Sequence, residues 1–171
     1  MADTGMLAWI SVIVFTCLTL SRANQYARGW GDDIDWVNLQ DGLAKAKEQN
    51  KPLMLVIHKS WCGACKALKP KFAETKDIIS LSKQFIMVNT ENEEEPSEKQ
   101  YSPDGGYIPR ILFLDPEGNV RKEFINENGN DKYRYYYPDT EDIVTSMNKV
   151  LQAVEDGKLA TGKKFSKLNE F

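Results

Sequence analysis

Apolar residues fall along this chain in short blocks with two different rhythms. Leu53-Met54-Leu55-Val56-Ile57 and Phe85-Ile86-Met87-Val88 are unbroken apolar runs. Runs of this length without alternation are what strands covered on both faces require. Elsewhere the period is that of a helix. Leu39, Leu43 and Ala46 recur at helical spacing over Leu39 to Asn50, which Lys51-Pro52 ends, and Leu68 and Phe72 stand four apart within Gly63 to Glu74. Pro70 lies inside that second helix, where it removes a backbone donor and is expected to kink the axis. Ile143, Met147, Val150, Leu151 and Val154 form one stripe of a last helix, expected to pack on the sheet. Asp139 reads as its cap, with Asp142 three residues on completing a capping-box pattern.

The connections carry their own signals. Ile108 to Leu114 reads as a further strand with Pro109 at its start, where proline is tolerated, after a turn built from Pro103-Asp104-Gly105-Gly106. Asp115 to Asn119 predicts a hairpin connection, with Val120 to Ile125 returning antiparallel. Gly29 to Asp33 reads as a loose lead-in. Thr90 to Lys99 holds five glutamates and Pro96, and so predicts a solvated loop. Asn126 to Asn130 predicts another exposed loop. No internal repeat is present.

The N-terminus changes the domain count. Leu7 to Leu20 is a 14-residue, largely apolar run, short for a membrane span and suited to the core of a signal peptide. Ser21-Arg22-Ala23 supplies small residues at both recognition positions. The segment before the run has no Lys or Arg and carries Asp3, so an uncleaved anchor is the alternative. Cleavage after Ala23 would remove Cys17 and leave 148 of the 171 residues, enough for one domain and without stable membrane insertion. The expected organisation is a leader over 1–23, a globular domain over 24–157 and a tail over 158–171. A net charge of −3 with acids and bases interspersed excludes neither catalysis nor protein binding, but it indicates no nucleic-acid or anionic-membrane partner. No Asn-x-Ser/Thr acceptor occurs.

The chemistry centres on Trp61-Cys62-Gly63-Ala64-Cys65. If a helix begins at or just after Cys62, both sulfurs lie on one side of its first turn. Cys62 is then the exposed member, where unpaired N–H groups and the helix dipole stabilise a thiolate. Cys65, one turn in, is shielded until it resolves a mixed disulfide. Gly63 and Ala64 allow the tight helix start. A disulfide closing so short a loop is a poor staple. Half of a zinc site has the same spacing, but zinc needs about four ligands. Outside the pair the sequence offers only Cys17 and the single histidine, His58. No metal or organic cofactor is implied, and a mature exported chain whose two cysteines both lie in this motif carries them to react. His58, four residues before Cys62, is a strand-end histidine that is either structural or, if protonated, an aid to the Cys62 thiolate.

Strand, WCGAC, proline-bearing helix, strand, Ile-Pro, hairpin and closing helix together resemble the thioredoxin fold. That likeness implies an α/β domain with a central mixed β-sheet flanked by helices. In that family a cis-proline faces the cysteine pair, and Pro109 holds the matching place. The stretches His58 to Phe72, Ser102 to Arg110 and Asn126 to Asn130 are similar to small single-domain thioredoxin-like proteins of the endoplasmic reticulum and their anterior-gradient, protein disulfide isomerase-like relatives. The resemblance spans about Gly31 to Tyr137 and implies that Cys62 attacks and Cys65 resolves. It also implies that Trp61, Gly63, Ala64, Ile108 and Pro109 line the place where a substrate strand pairs. Relatives often have serine at the second position, so Cys65 groups this chain with the two-cysteine branch. Two departures stand out. Thioredoxins usually carry a buried carboxylate six residues before the first cysteine, where this chain has Val56. The tail Lys167-Leu168-Asn169-Glu170-Phe171 only partly matches the family's retrieval signal.

The function this implies is a thiol–disulfide oxidoreductase of the endoplasmic reticulum lumen, with secretion the alternative address. Its partners would be cysteine-containing client proteins, with glutathione or another oxidoreductase as redox partner. Oxidase, reductase and isomerase roles stay open, as do the identities of the clients. The competing class is a client-binding adaptor with little turnover, for which Tyr133, Tyr135, Tyr136 and Tyr137 would offer contact surface if at least half of them were not core. A dimer-forming adaptor is a third reading.

Overall fold

The computed structural model describes residues 24–159. The leader at 1–23 with Cys17, and the tail from 160 onward with its retrieval-like end, lie outside the described residues. The elements are β1 (Trp36–Val37), α1 (Leu39–Gln49), β2 (Leu53–His58), α2 (Gly63–Glu74), α3 (Lys76–Ser82), β3 (Ile86–Glu91), β4 (Arg110–Leu114) and α4 (Thr140–Glu155). The four strands form one mixed sheet in the order β1-β3-β2-β4. β2 pairs in parallel with β3, from Leu53 opposite Ile86 to His58 opposite Glu91, and antiparallel with β4, from Leu53 opposite Leu114 to Ile57 opposite Arg110.

A strand paired on both edges and covered on both faces has no solvated position, which is why β2 reads as a solid apolar run. Met54 and Val56 point to a core shared with Leu68 and Phe72 of α2 and with Ile143, Met147 and Val150 of α4. Leu53, Leu55 and Ile57 point to a second core with Ala46 of α1, Tyr101 and Tyr135. α1 is capped at both ends. The Asn38 side chain accepts the Asp41 N–H at 2.8 Å, and Asn50 closes the helix in the left-handed region at φ 53°. α2 runs from Gly63 to Glu74 with Pro70 inside it.

Several expectations are corrected by packing. The lead-in is anchored, not loose, because Trp30 is fully buried with its ring edge-on to Phe72 and tilted against His58. α3 and the two-residue β1 were not legible as periodic patterns. The return over Val120 to Ile125 shrinks to a single bridge between Leu114 and Val120, since the chain turns again with Phe124 N–H donating to the Arg121 carbonyl. Asp139 sits at the cap of α4 without a side-chain cap bond, and Asp142 accepts from the Asn128 amide at 2.7 Å instead of closing a capping box. In the loop over 126–130, Asn126 is buried and donates to the Tyr136 carbonyl at 3.1 Å. Leu159 is buried in the same core as α4. No helix among the described residues is long and apolar enough to cross a membrane.

Gly42 marks the closest approach of α1 to the sheet. A Cβ there would lie 2.3 Å from Val88 Cγ2 and 3.3 Å from Leu53 Cδ1. Alanine would gain up to ~1 kcal/mol of helix propensity, but forcing a methyl into a filled core costs about 1–3 kcal/mol. Gly42→Ala is therefore expected to lower the urea midpoint at unchanged m-value, and a midpoint equal to or above wild type would contradict this packing.

Candidate active site

β2 ends at His58 and α2 begins at Gly63, so residues 59–62 must carry the chain off the sheet and into the helix. The turn closes through the Cys62 N–H, which donates to the Lys59 carbonyl at 3.2 Å. Cys62 is the N-cap of α2, in extended conformation, and its Sγ accepts the Cys65 N–H at 3.2 Å. A side chain at that position faces the unpaired amides and the positive end of the helix dipole. On its other side Cys62 Sγ lies 3.8 Å from the Ile108 carbonyl oxygen, directly before the cis Ile108–Pro109 bond.

The two thiols are both free and are shielded unequally, though less so than the sequence suggests. Cys62 is 7% exposed and Cys65 1%. Cys62 is thus reached through a narrow opening, whereas Trp61 beside it is 71% exposed and forms the prominent rim. Burial pushes the Cys65 thiol up to about 12, and its hydrogen bond with Cys62 adds to the rise, while a backbone hydrogen bond from Lys59 opposes it. Gly63 is exposed, and an added Cβ would meet nothing within 4 Å, so space does not require glycine there. Ala64 and Ile108 are half-buried, and Pro109 is buried. The structure thus places Trp61, Cys62, Gly63, Ala64 and Cys65 in one helix start and sets Ile108 and Pro109 across from it.

His58 belongs to another constellation. Its Nε2 lies 2.6 Å from Asn89 Oδ1, and the Asn89 amide nitrogen donates to the Ala27 carbonyl at 3.2 Å. With the amide so oriented, His58 Nε2 carries the proton and Nδ1 the lone pair. Burial lowers the His58 pKa more than Asn89 and Glu91 raise it, and the other charges acting on it are those of Lys69 and Arg28. Neither cysteine is among its partners, so the structural role is the one the geometry supports. Val56 is fully buried in the apolar core, so no carboxylate occupies its position. Of the four tyrosines, Tyr135 and Tyr137 are buried, while Tyr133 is 47% exposed. Among the described residues no group of three or more His, Cys, Asp or Glu is placed to hold a metal.

The glutamate-rich segment is not wholly solvated, since Glu95 binds it to the site. Glu95 takes Lys59 Nζ on one oxygen at 2.7 Å and Arg110 Nη2 on the other at 2.5 Å. Partial burial alone would raise the Glu95 carboxyl, but the Lys59 and Arg110 bonds outweigh it and hold the group below its usual value. Arg110 itself is 0% exposed. The signal available in the sequence was a lone arginine inside the apolar run Ile108 to Leu114, since a buried guanidinium needs a carboxylate partner.

Residues 35–116 match a family model described as thioredoxin-like. A solved thioredoxin from Thermus thermophilus superposes with a TM-score of 0.53 at 16% identity, covering 75% of this chain and 97% of that one, which shows the shared fold. The protein is therefore a thioredoxin-like domain with a mixed sheet flanked by helices. Anterior gradient protein 3 of Xenopus tropicalis is 42% identical over 131 residues, covering 75% of this chain and 79% of its own length. The human anterior gradient protein 2 homolog is 39% identical over 130 residues, covering 75% and 73%. The chain belongs to the anterior gradient family of thioredoxin-like proteins, and its cysteine pair fits thiol–disulfide oxidoreductase chemistry.

The raised Cys65 pKa has a measurable consequence. An unfolded thiol ionises near ~8.5, whereas folded Cys65 keeps its proton well beyond that, so above this pH the unfolded state sheds a proton that the folded state retains. Stability is then present below the unfolded value and falls as pH rises. The melting temperature of the reduced protein is expected to drop between about pH 8 and 9.5, and Cys65→Ser should remove that part of the drop. Equal pH dependence in the two proteins would contradict it.

Proposed function

We propose that this protein exchanges disulfides with cysteine-bearing client proteins, with Cys62 as nucleophile and Cys65 as resolving thiol. The observation that carries the reading is the unequal pair itself: Cys62 caps α2 facing the Ile108 carbonyl, and Cys65 is shut in one turn behind it. In the reducing direction, a Cys62 thiolate attacks one sulfur of a client disulfide. The client S–S bond breaks, and its electron pair leaves on the second client sulfur, which takes a proton. Cys65 then gives up its proton and attacks Cys62 Sγ. The Cys62–Cys65 bond forms and the first client sulfur departs as a thiolate that is protonated in turn. The client gains two electrons and two protons, and the protein's dithiol loses them; run backwards, the same steps oxidise a client. The backbone beside Ile108 and Pro109 offers an edge for a client strand, and exposed Trp61 gives it an apolar shoulder.

With Val56 in place of a carboxylate and Cys65 held protonated, the second thiol is the reluctant partner. Its deprotonation falls to solvent or to the departing thiolate, so resolution is the slow step. Within the family we infer membership of the two-cysteine branch that thioredoxin domain-containing protein 12 represents, on the strength of the Trp61 to Cys65 motif. We place the work in the endoplasmic reticulum lumen, supported by the leader-like run Leu7 to Leu20 and by the partial retrieval signal at the tail.

The test pairs a glutathione titration of Cys62/Cys65 with a trapping variant. The pair is expected to form a reversible disulfide. A potential near about −180 mV would assign isomerisation or oxidation and one near about −270 mV reduction. Cys65→Ser should accumulate mixed disulfides through Cys62 and lose turnover. A variant that keeps full client affinity and traps nothing would instead favour a non-covalent adaptor.

A further inference from the structure

Lys59 holds the cysteine turn with its backbone and reaches, through Glu95, the arginine of the opposite wall with its side chain. Its carbonyl accepts the Cys62 N–H at 3.2 Å, and Cys62 Sγ in turn accepts the Cys65 N–H at 3.2 Å. Its Nζ donates to the Asn92 carbonyl at 2.6 Å and pairs with Glu95 Oε2 at 2.7 Å. Glu95 Oε1 pairs with Arg110, and the buried guanidinium in turn donates to the carbonyls of Tyr101, at 3.2 Å, and of Tyr107. Tyr107 immediately precedes Ile108, whose carbonyl faces Cys62. The next residue of the turn is held from the same side, since the Ser60 N–H donates to Asn92 Oδ1 at 3.0 Å.

We propose that Lys59 is a positioning residue for disulfide exchange: the Lys59–Glu95–Arg110 chain clamps the cysteine turn to the Ile108–Pro109 wall and so sets how readily Cys65 reaches Cys62. The proposal rests on the oxidoreductase reading above. Stability alone accounts for half of the chain. Arg110 has no water around it, so Glu95 is needed to neutralise it, and removing that carboxylate would leave an uncompensated buried charge. Lys59 has no such need. Its side chain is 20% exposed, so the ammonium can be solvated without Glu95, yet it links the cysteine turn to the substrate wall. Only residues 59–62 separate β2 from α2, so a shift at Lys59 passes directly to Cys62 and, through the Cys65 N–H bond to Cys62 Sγ, to Cys65. Attack on the mixed disulfide needs Cys65 Sγ, Cys62 Sγ and the leaving sulfur in line, and sub-ångström displacement of such a set is felt in rate.

The step to measure is expulsion of glutathione from Cys62. In it Cys65 loses its proton and bonds to Cys62 Sγ, the Cys62–glutathione bond breaks, and glutathione leaves with that electron pair as a thiolate. Lys59→Met keeps the apolar stem, removes the ammonium and leaves the Glu95–Arg110 pair in place, so folding is preserved. Cys62 is loaded with glutathione at low pH, the pH is jumped, and the protein is quenched and weighed over time. Expulsion in Lys59→Met is expected about tenfold slower than in wild type, with a melting temperature within about 4 °C, and Lys59→Arg is expected to restore the rate to within about twofold. Lys59→Met expelling glutathione at the wild-type rate would overturn the proposal and leave the oxidoreductase reading standing. A wild-type protein that retains glutathione indefinitely would overturn both, and the two failures differ in which protein shows them.

Discussion

Pairing of β2 on both edges, parallel to β3 and antiparallel to β4, fixes where this strand ends and therefore where the cysteines begin. Its six residues are all buried, and α2 starts five residues after its last one. The connection has little freedom, and the Cys62 N–H to Lys59 carbonyl bond removes most of what is left. Because β4 is registered against the same strand, the Ile108–Pro109 segment leading into β4 arrives opposite that connection. The site is thus the meeting of two chain segments at one end of a doubly paired strand, and its geometry is only as firm as that pairing.

Burial then separates the two sulfurs chemically. Cys62 occupies a helix cap, where an amide N–H points at its sulfur, while Cys65 is 1% exposed in the first turn of α2. The same residue type three positions apart therefore meets opposite electrostatics: donors and a dipole at one, desolvation at the other. The exchange proposed above uses that asymmetry, with the first thiol attacking and the second waiting. Val56, fully buried where thioredoxins carry a carboxylate, leaves that proton to solvent or to the departing thiolate.

Charge inside the fold is handled in separate constellations. Arg110 is neutralised by Glu95 and donates to the carbonyls of Tyr101 and Tyr107, and the chain reaches Lys59 at the cysteine turn. His58 instead lies buried between Asn89 and Trp30, where desolvation lowers its pKa, and it ties the segment before β1 to the sheet. One titratable residue near the motif in sequence is therefore distant from it in role, and another that looked like part of a solvated loop is bound to it.

Elements whose identity depends on local rhythm were legible from the chain alone. The apolar block of β2, the helical spacing of α1, α2 and α4, and the Cys62–Cys65 spacing at a strand-to-helix junction carry their physics within a few residues. The resemblance that placed Pro109 against the pair was legible for the same reason, in contiguous motifs. What the pattern could not hold were properties set by distant partners. The two-residue β1 exists because β3 offers it an edge, and the strand expected over Val120 to Ile125 is reduced to one bridge as the chain turns away after it. Glu95 read as solvated because its partners Lys59 and Arg110 lie 36 and 15 residues away in sequence, and the narrow exposure of Cys62 depends on the facing Ile108. Sequence by itself determined which chemistry the chain carries, because reactivity resides in residue type and short spacing. Tertiary structure decided which groups surround it, because burial and ion pairing are made between segments that only folding brings together.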